Sequence, residues 1–289
     1  MIKSKILMII MPLKPEASPK NAGKIYTGLL LCVTLLFLPA CYNDIFKYSI
    51  HQINGDYSDR FFNTENSARI DNMYDDPTAD FTFAVVADTH TSYDRLEDAL
   101  DIISENPDVK FVIHLGDLSD TGLLFQYEWT VEILKDLPVP FITVLGNHDC
   151  LGNGLYIFRD IFGPADFHFL CNGVLFVVGN NNNWESDIGD ISQVRNALAE
   201  HYDARYKIIV SHIPVITGRR FNDQMVAEYI KLCNDYNVNL SLHGHSHRYR
   251  FIENYAISTS MLICNAIIKD TFYLIHVKNS GITFESVNF

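Results

Sequence analysis

The chain has 289 residues, 48% of them apolar, and a formal net charge of −13. That length holds one large domain or two small ones, and the apolar content can fill a sizeable core. Residues 1–40 carry five lysines against Glu16; removing that net +4 leaves −17 for residues 41–289, which excludes a general nucleic-acid binder, whose affinity rests on Lys and Arg at phosphates.

Lys3, Lys5, Lys14, Lys20 and Lys24 precede an apolar run from Tyr26 to Ala40. The run is short for a bilayer-spanning helix, which needs about 20 apolar residues. A basic stretch before a short apolar one reads as a secretory signal over residues 1–40. Leu38-Pro39-Ala40-Cys41 follows it and resembles the bacterial lipobox, in which Cys41 is acylated. An exported lipoprotein held on the membrane surface of a bacterial cell envelope is the resulting expectation. An uncleaved anchor helix and an ordinary signal peptide are the alternatives. Residues 41–79 are polar and aromatic without a sustained period and read as a tether with at most one packed segment.

From residue 80 to 289 the pattern is that of a folded domain. Phe81–Ala87 is a β-type run, Arg95–Asn106 has helical spacing, and Phe111–Leu115 is a second strand. Leu123–Leu137 is a second helix, and Phe141–Leu145 a third strand. Strands alternating with helices argue for parallel pairing with right-handed crossovers. Phe167–Leu170 and Val174–Val178 suit a hairpin around Asn172-Gly173. Asn180–Asn183 and Trp184 form a polar loop. Ile191–Tyr202 and Gln224–Tyr236 read as helices, Tyr206–Val210 and Leu240–Leu242 as strands. Tyr249–Glu253, Ala256–Ser260, Thr271–Lys278 and Ile282–Val287 read as antiparallel strands. Cys32, Cys41, Cys150, Cys171, Cys233 and Cys264 include no Cys-x-x-Cys spacing, which argues against a structural zinc knuckle. Disulfides and buried free thiols both remain compatible with them.

Polar clusters sit at the ends of the apolar runs: Asp88-Thr89-His90, Gly116-Asp117-Leu118-Ser119-Asp120, Gly146-Asn147-His148-Asp149, Ser211-His212 and Gly244-His245-Ser246-His247. Each alone reads as a turn, a cap or a core histidine. In an extended segment residues i and i+2 point the same way, so Asp88 and His90 can share a target, as can His245 and His247. The C-terminal ends of strands in an α/β sheet line one edge, where ligands gather. Asp88, His90, Asp117, Asn147, His212, His245 and His247 are too many ligands for one ion and fit two ions with a bridging carboxylate. Carboxylate oxygen and imidazole nitrogen suit manganese, iron or zinc.

In this order the motifs Asp-x-His, Gly-Asp-x-x-Asp, Gly-Asn-His-Asp, His and Gly-His-x-His resemble the calcineurin-like metallophosphoesterases, over about residues 81–250. The resemblance implies an α/β fold, a four-layer α/β/β/α sandwich of two mixed sheets. It implies two divalent or trivalent ions, one on Asp88, His90, Asp117 and His247, the other on Asp117, Asn147, His212 and His245. It makes His148 the acid-base residue and Asp120 its carboxylate partner. On this reading a hydroxide shared by the metals attacks phosphorus in line, and His148 protonates the leaving oxygen. Purple acid phosphatases carry Tyr where Asp120 stands, and the Arg-Gly extension of protein Ser/Thr phosphatases is absent at Thr121-Gly122.

The expected activity is hydrolysis of a small phosphomonoester or phosphodiester. A metal-dependent nuclease and a non-catalytic metal-binding surface lipoprotein are the alternatives. Arg219 and Arg220 follow His212 in a loop bounded by Pro214 and Gly218. Their guanidinium groups suit a substrate phosphate. Pairing with a nearby acid such as Asp223 is the plain alternative.

Overall fold

Four phenylalanines set the spacing between two β-sheets. Phe83 and Phe111 stack with centroids 5.1 Å apart, Phe169 and Phe176 stack at 4.8 Å, and Phe111 meets Phe176 edge-on at 5.4 Å. Offset and edge-on pairs add to the energy of area burial. The structure, a computed structural model, describes residues 52–186 and 191–289. The expected export signal of residues 1–40 and the acylation of Cys41 lie outside the described residues, as does the start of the expected tether.

The first sheet holds Phe81–Val86 (β1), Val109–His114 (β2), Phe141–Thr143 (β3), Thr271–Lys278 (β10) and Gly281–Asn288 (β11). Its order is β11-β10-β1-β2-β3. β1, β2 and β3 pair in parallel, and β10 returns antiparallel to β1. The second sheet holds Phe167–Cys171 (β4), Val174–Val178 (β5), Tyr206–Val210 (β6), Leu240–His243 (β7), Arg250–Ile252 (β8) and Ser260–Ile263 (β9). Its order is β4-β5-β6-β7-β9-β8. Alternation along β1 explains the layering. Phe83 and Val85 face the second sheet, and Ala84 and Val86 face the helices outside the first. A helix over Phe62–Met73 (α1) precedes β1. Helices Tyr93–Ser104 (α2), Leu124–Leu134 (α3) and Gly154–Phe162 (α4) join the core outside the first sheet. Ile191–Glu200 (α5) and Asp223–Asp235 (α6) cover the second. The result is the four-layer sandwich of two mixed sheets.

Three features add to or depart from the sequence reading. The first is α1, the one packed segment that reading allowed within the tether. Its Asn63 donates to the Thr143 carbonyl at 2.8 Å and accepts from the Thr143 N–H at 2.8 Å, and Asn66 donates to the Phe141 carbonyl at 2.8 Å. These amides take the place of a further strand along the edge of β3. The second departure is α4, in a stretch to which the sequence reading assigns no element. A nine-residue helix is marginal by itself and is held here by packing, with Ile157, Phe158, Ile161 and Phe162 all buried. Third, the strand expected over Ala256–Ser260 lies later, at Ser260–Ile263; it pairs antiparallel with β8, as expected, and also in parallel with β7. Ala256 and Thr259 instead bond to each other across a turn.

Cys150, Cys171, Cys233 and Cys264 are free and buried. Among the described residues no helix is long and apolar enough to cross a membrane.

Candidate metal centre

Five strands of the two sheets end at one place. β1 delivers Asp88 and His90, β2 delivers Asp117, β3 delivers Asn147 and His148, β6 delivers His212, and β7 delivers His245 and His247. The sharp exits from the strands are visible in the backbone. Asp88, His90, Asp117, His245 and His247 all have φ between 49° and 65°. Non-glycine residues seldom adopt this left-handed region, at a cost of about 1–3 kcal/mol each. Gly116 has φ 96°, and a Cβ on Gly146 would sit 2.2 Å from Asp117 Oδ1. That close approach lets the loop after β3 fold over Asp117, whose Oδ1 accepts from the His148 N–H at 2.9 Å.

The side chains form two groups that share Asp117. Asp88, His90, Asp117 and His247 make one, and Asp117, His212 and His245 the other, each with ligand atoms within 4.8 Å of one another. In the first, His90 Nε2 lies 3.2 Å from His247 Nε2 and 3.6 Å from Asp117 Oδ2, and His247 Nε2 lies 3.5 Å from Asp88 Oδ1. In the second, His212 Nε2 lies 3.2 Å from Asp117 Oδ2 and 3.1 Å from Asn147 Oδ1. His245 Nδ1 lies 2.7 Å from that same Asn147 oxygen.

These donor sets fit cations. His212 Nδ1 donates to the Leu115 carbonyl at 2.8 Å, so in the neutral ring Nε2 holds a lone pair. That lone pair faces two oxygen acceptors. His90 and His247 likewise present ring nitrogens to each other and to carboxylates. Such facing lone pairs repel unless a proton or a metal ion lies between them. Without an ion, protons take that role. Burial opposes charging His212, but the charge of Asp117 and its contact outweigh it and raise the imidazole to about 9. Burial pushes the Asp117 carboxyl up, yet His212 more than reverses this and holds it well below the usual carboxylate range. Burial and the charge of His212 push His245 down to about 4.

Residues behind the ligands hold them. Asp149 is fully buried. Its carboxylate accepts from the backbone N–H groups of Ser119 and Gly146, both at 2.9 Å, from Leu118 N–H at 3.2 Å and from Ser119 Oγ at 2.9 Å. It ties the second motif to the third. Burial and the charge of Asp117 raise its pKa to about 6. His114, the last residue of β2, accepts from Gly116 N–H through Nδ1 at 3.2 Å and donates from Nε2 to Thr89 Oγ1 at 2.6 Å. Burial pushes this imidazole down to about 4, so it stays neutral. His243, the last residue of β7, bonds the Ser211 carbonyl at 3.0 Å and Ser241 Oγ at 2.7 Å. The sequence reading assigns no role to Asp149, His114 or His243. A histidine closing an apolar run just before Gly116 and Gly244 is the signal that marks the latter two.

Two expected contacts differ. His148 Nδ1 donates to the backbone carbonyl of Asp120 at 2.7 Å, whereas the Asp120 carboxylate is 3.8 Å away and lies 3.2 Å from His90 Nδ1. Asp120 therefore orients His148 mainly through its main chain. Arg220 is held by Glu185, in a bidentate pair at 2.6 and 2.7 Å, and its guanidinium lies 4.3 Å over the Trp184 ring. Its acid partner is Glu185 rather than Asp223. Arg219 lies 5.4 Å over the same ring. The loop bearing Trp184 is braced to the strand ends, with Asn182 donating to the Leu145 carbonyl at 2.8 Å and Asn181 to the Ile213 carbonyl at 2.6 Å.

The model of the calcineurin-like phosphoesterase family matches residues 81–249. The fold is similar to GAP50, the anchor in the inner membrane complex of Plasmodium, with TM-score 0.56 and 18% identity over 73% of this chain and 85% of that one. It is similar to the purple acid phosphatase PPD1 of yellow lupin, with TM-score 0.54 and 13% identity over 73% of this chain and 55% of that one. A third similar structure, from Thermus thermophilus, gives TM-score 0.52 and 14% identity over 73% of this chain and 99% of that one. At these identities the likeness is one of fold. No curated protein matches the chain significantly.

Proposed function

The chain belongs to the calcineurin-like phosphoesterase family, and from that premise we propose that it hydrolyses a small phosphomonoester or phosphodiester at a dinuclear metal centre. The observation that carries this reading is the pair of donor groups joined only by Asp117. Asp88, His90, Asp117 and His247 would hold one ion, and Asp117, Asn147, His212 and His245 the other. When bound, two such ions supply positive charge and Lewis acidity at a phosphate and activate water as the nucleophile.

The protein's own residues supply the rest. Asn147 offers a neutral oxygen and so keeps the centre cationic inside an acidic domain, which draws in a phosphate. His148 is the proton donor to the leaving oxygen. Its Nδ1–H is committed to the Asp120 carbonyl, so only the imidazolium can give a proton from Nε2. Arg219 remains a candidate contact for a charged substrate group, since its guanidinium is not paired with an acid among the described residues. Arg220 is assigned instead to bracing Trp184 and Glu185.

Turnover of p-nitrophenyl phosphate, bis-p-nitrophenyl phosphate and single-stranded DNA with added manganese tests the proposal. Cleavage of an aryl ester that is lost on chelation supports it. Two bound ions without turnover of either ester would favour the metal-binding, non-catalytic reading, and preferential DNA cleavage the nuclease. Export with acylation at Cys41 is a separate proposal, resting on Leu38-Pro39-Ala40-Cys41 after the apolar run. The intact mass of the mature protein tests it.

A further inference from the structure

A second group of metal-ligating side chains lies away from the dinuclear centre. His168 stands on β4, an edge strand of the second sheet. Glu200 is the last residue of α5, and His201 follows it. One ligand atom from each of the three lies within 4.8 Å of the others. The two imidazole rings are 5.1 Å apart, centre to centre, and tilted by 58°. Asp71 of α1 stands beside them. Burial raises its carboxyl, while its bond from the Leu170 N–H at 2.6 Å and the two imidazoles act the other way.

We infer that His168, Glu200 and His201 bind one borderline divalent transition ion of the zinc type. Two nitrogen donors and one oxygen donor select zinc, nickel or copper over the hard ions calcium and magnesium, which take oxygen sets. Three protein ligands leave a fourth tetrahedral position for water. The end of α5 favours a cation there, because the helix dipole places negative charge at its C-terminus. Among the described residues no hydrogen bond or ion pair from outside the group engages these three side chains, so all three are free to ligate. Asp71 adds negative charge near both rings, which favours a cation there.

The ion would clamp the start of β4, whose outer edge is covered by α1 at Leu170, to the end of α5. Neither element contributes to the dinuclear centre, so this inference stands or falls independently of the phosphoesterase reading. The full-length protein is dialysed against excess zinc, and zinc per chain is counted by elemental mass spectrometry. Wild type should hold one zinc more than His168→Ala and one more than His201→Ala, with phosphoester turnover equal in all three. Glu200→Gln, which preserves shape, should weaken the extra zinc at limiting concentration. Equal zinc counts in wild type and both histidine variants overturn the site. A zinc deficit accompanied by altered turnover also overturns it, because the change would then have reached the dinuclear centre.

Discussion

The inter-sheet core and the metal edge are built on the same two sheets, yet they follow opposite rules. Phe83, Phe111 and Phe176 are fully buried and interlock at ring distances of 5.1 to 5.4 Å. Just beyond the ends of the strands, Asp88, Asp117, His245 and His247 take left-handed backbone angles and gather with His90 and His212 into two donor groups. The core is stable as it stands. The edge is held in an unfavourable arrangement by the rigidity of the core and by residues such as Asp149 and His114. A folded scaffold can store strain only where the rest of the structure over-determines it. The contrast predicts that the two regions respond differently to substitution.

The largest effect is expected at Asp117, which belongs to both donor groups. Asp117→Ala should lower turnover by at least about 10³-fold, the upper scale for losing one preorganised electrostatic group. Metal analysis should show weakened binding at both positions, whereas Asp88→Ala should weaken one first. Loss confined to one ion in the Asp117 variant would break the bridging assignment.

His148→Ala should lower turnover of an ester with a poor leaving group by about 10²- to 10⁴-fold, the range of general acid–base groups. Both ions should remain bound. An activated aryl ester, whose leaving group needs no proton, should be affected less. A lost ion would make His148 a ligand.

In the core the readout is stability. Phe111→Ala should cost about 3–5 kcal/mol in denaturant unfolding, as for other large-to-small core changes. The fraction that remains folded should bind metal normally. Reduced metal affinity in that fraction would show that the core positions the ligands more directly than the comparison implies.

The smallest effect concerns α1. Asn63→Ala leaves the buried Thr143 N–H and carbonyl without their partner, at a cost of about 1–3 kcal/mol. Because β3 leads to Asn147, hydrogen exchange at Thr143 should rise while turnover changes little. An unchanged exchange rate would return α1 to the status of a tether.

Much of the site was legible because its signals are local. The motifs name Asp88/His90 and His245/His247 and the apolar runs locate the strand ends, although left-handed backbone at all four residues, and not the two-residue period of an extended chain, aims each pair. The motifs at Gly116-Asp117, Gly146-Asn147 and His212 complete the donor set without any knowledge of distances. The sequence by itself thus determined the order of most strands and helices after residue 80, the ligand inventory and the family resemblance. Tertiary structure decided the rest. Asn63 reaches Thr143 across 80 positions, and Arg220 finds Glu185 across 35. Long-range pairing of this kind carries no local period, and charge alone made Asp223 an equally suitable partner for Arg220. The same holds for α4, which packing stabilises, and for β9, whose apolar residues are satisfied beside β7 in parallel as well as in an antiparallel hairpin. Asp120 shows the limit at atomic scale. The motif names the residue, but only the fold decides that its carbonyl, and not its carboxylate, takes the proton of His148 Nδ1.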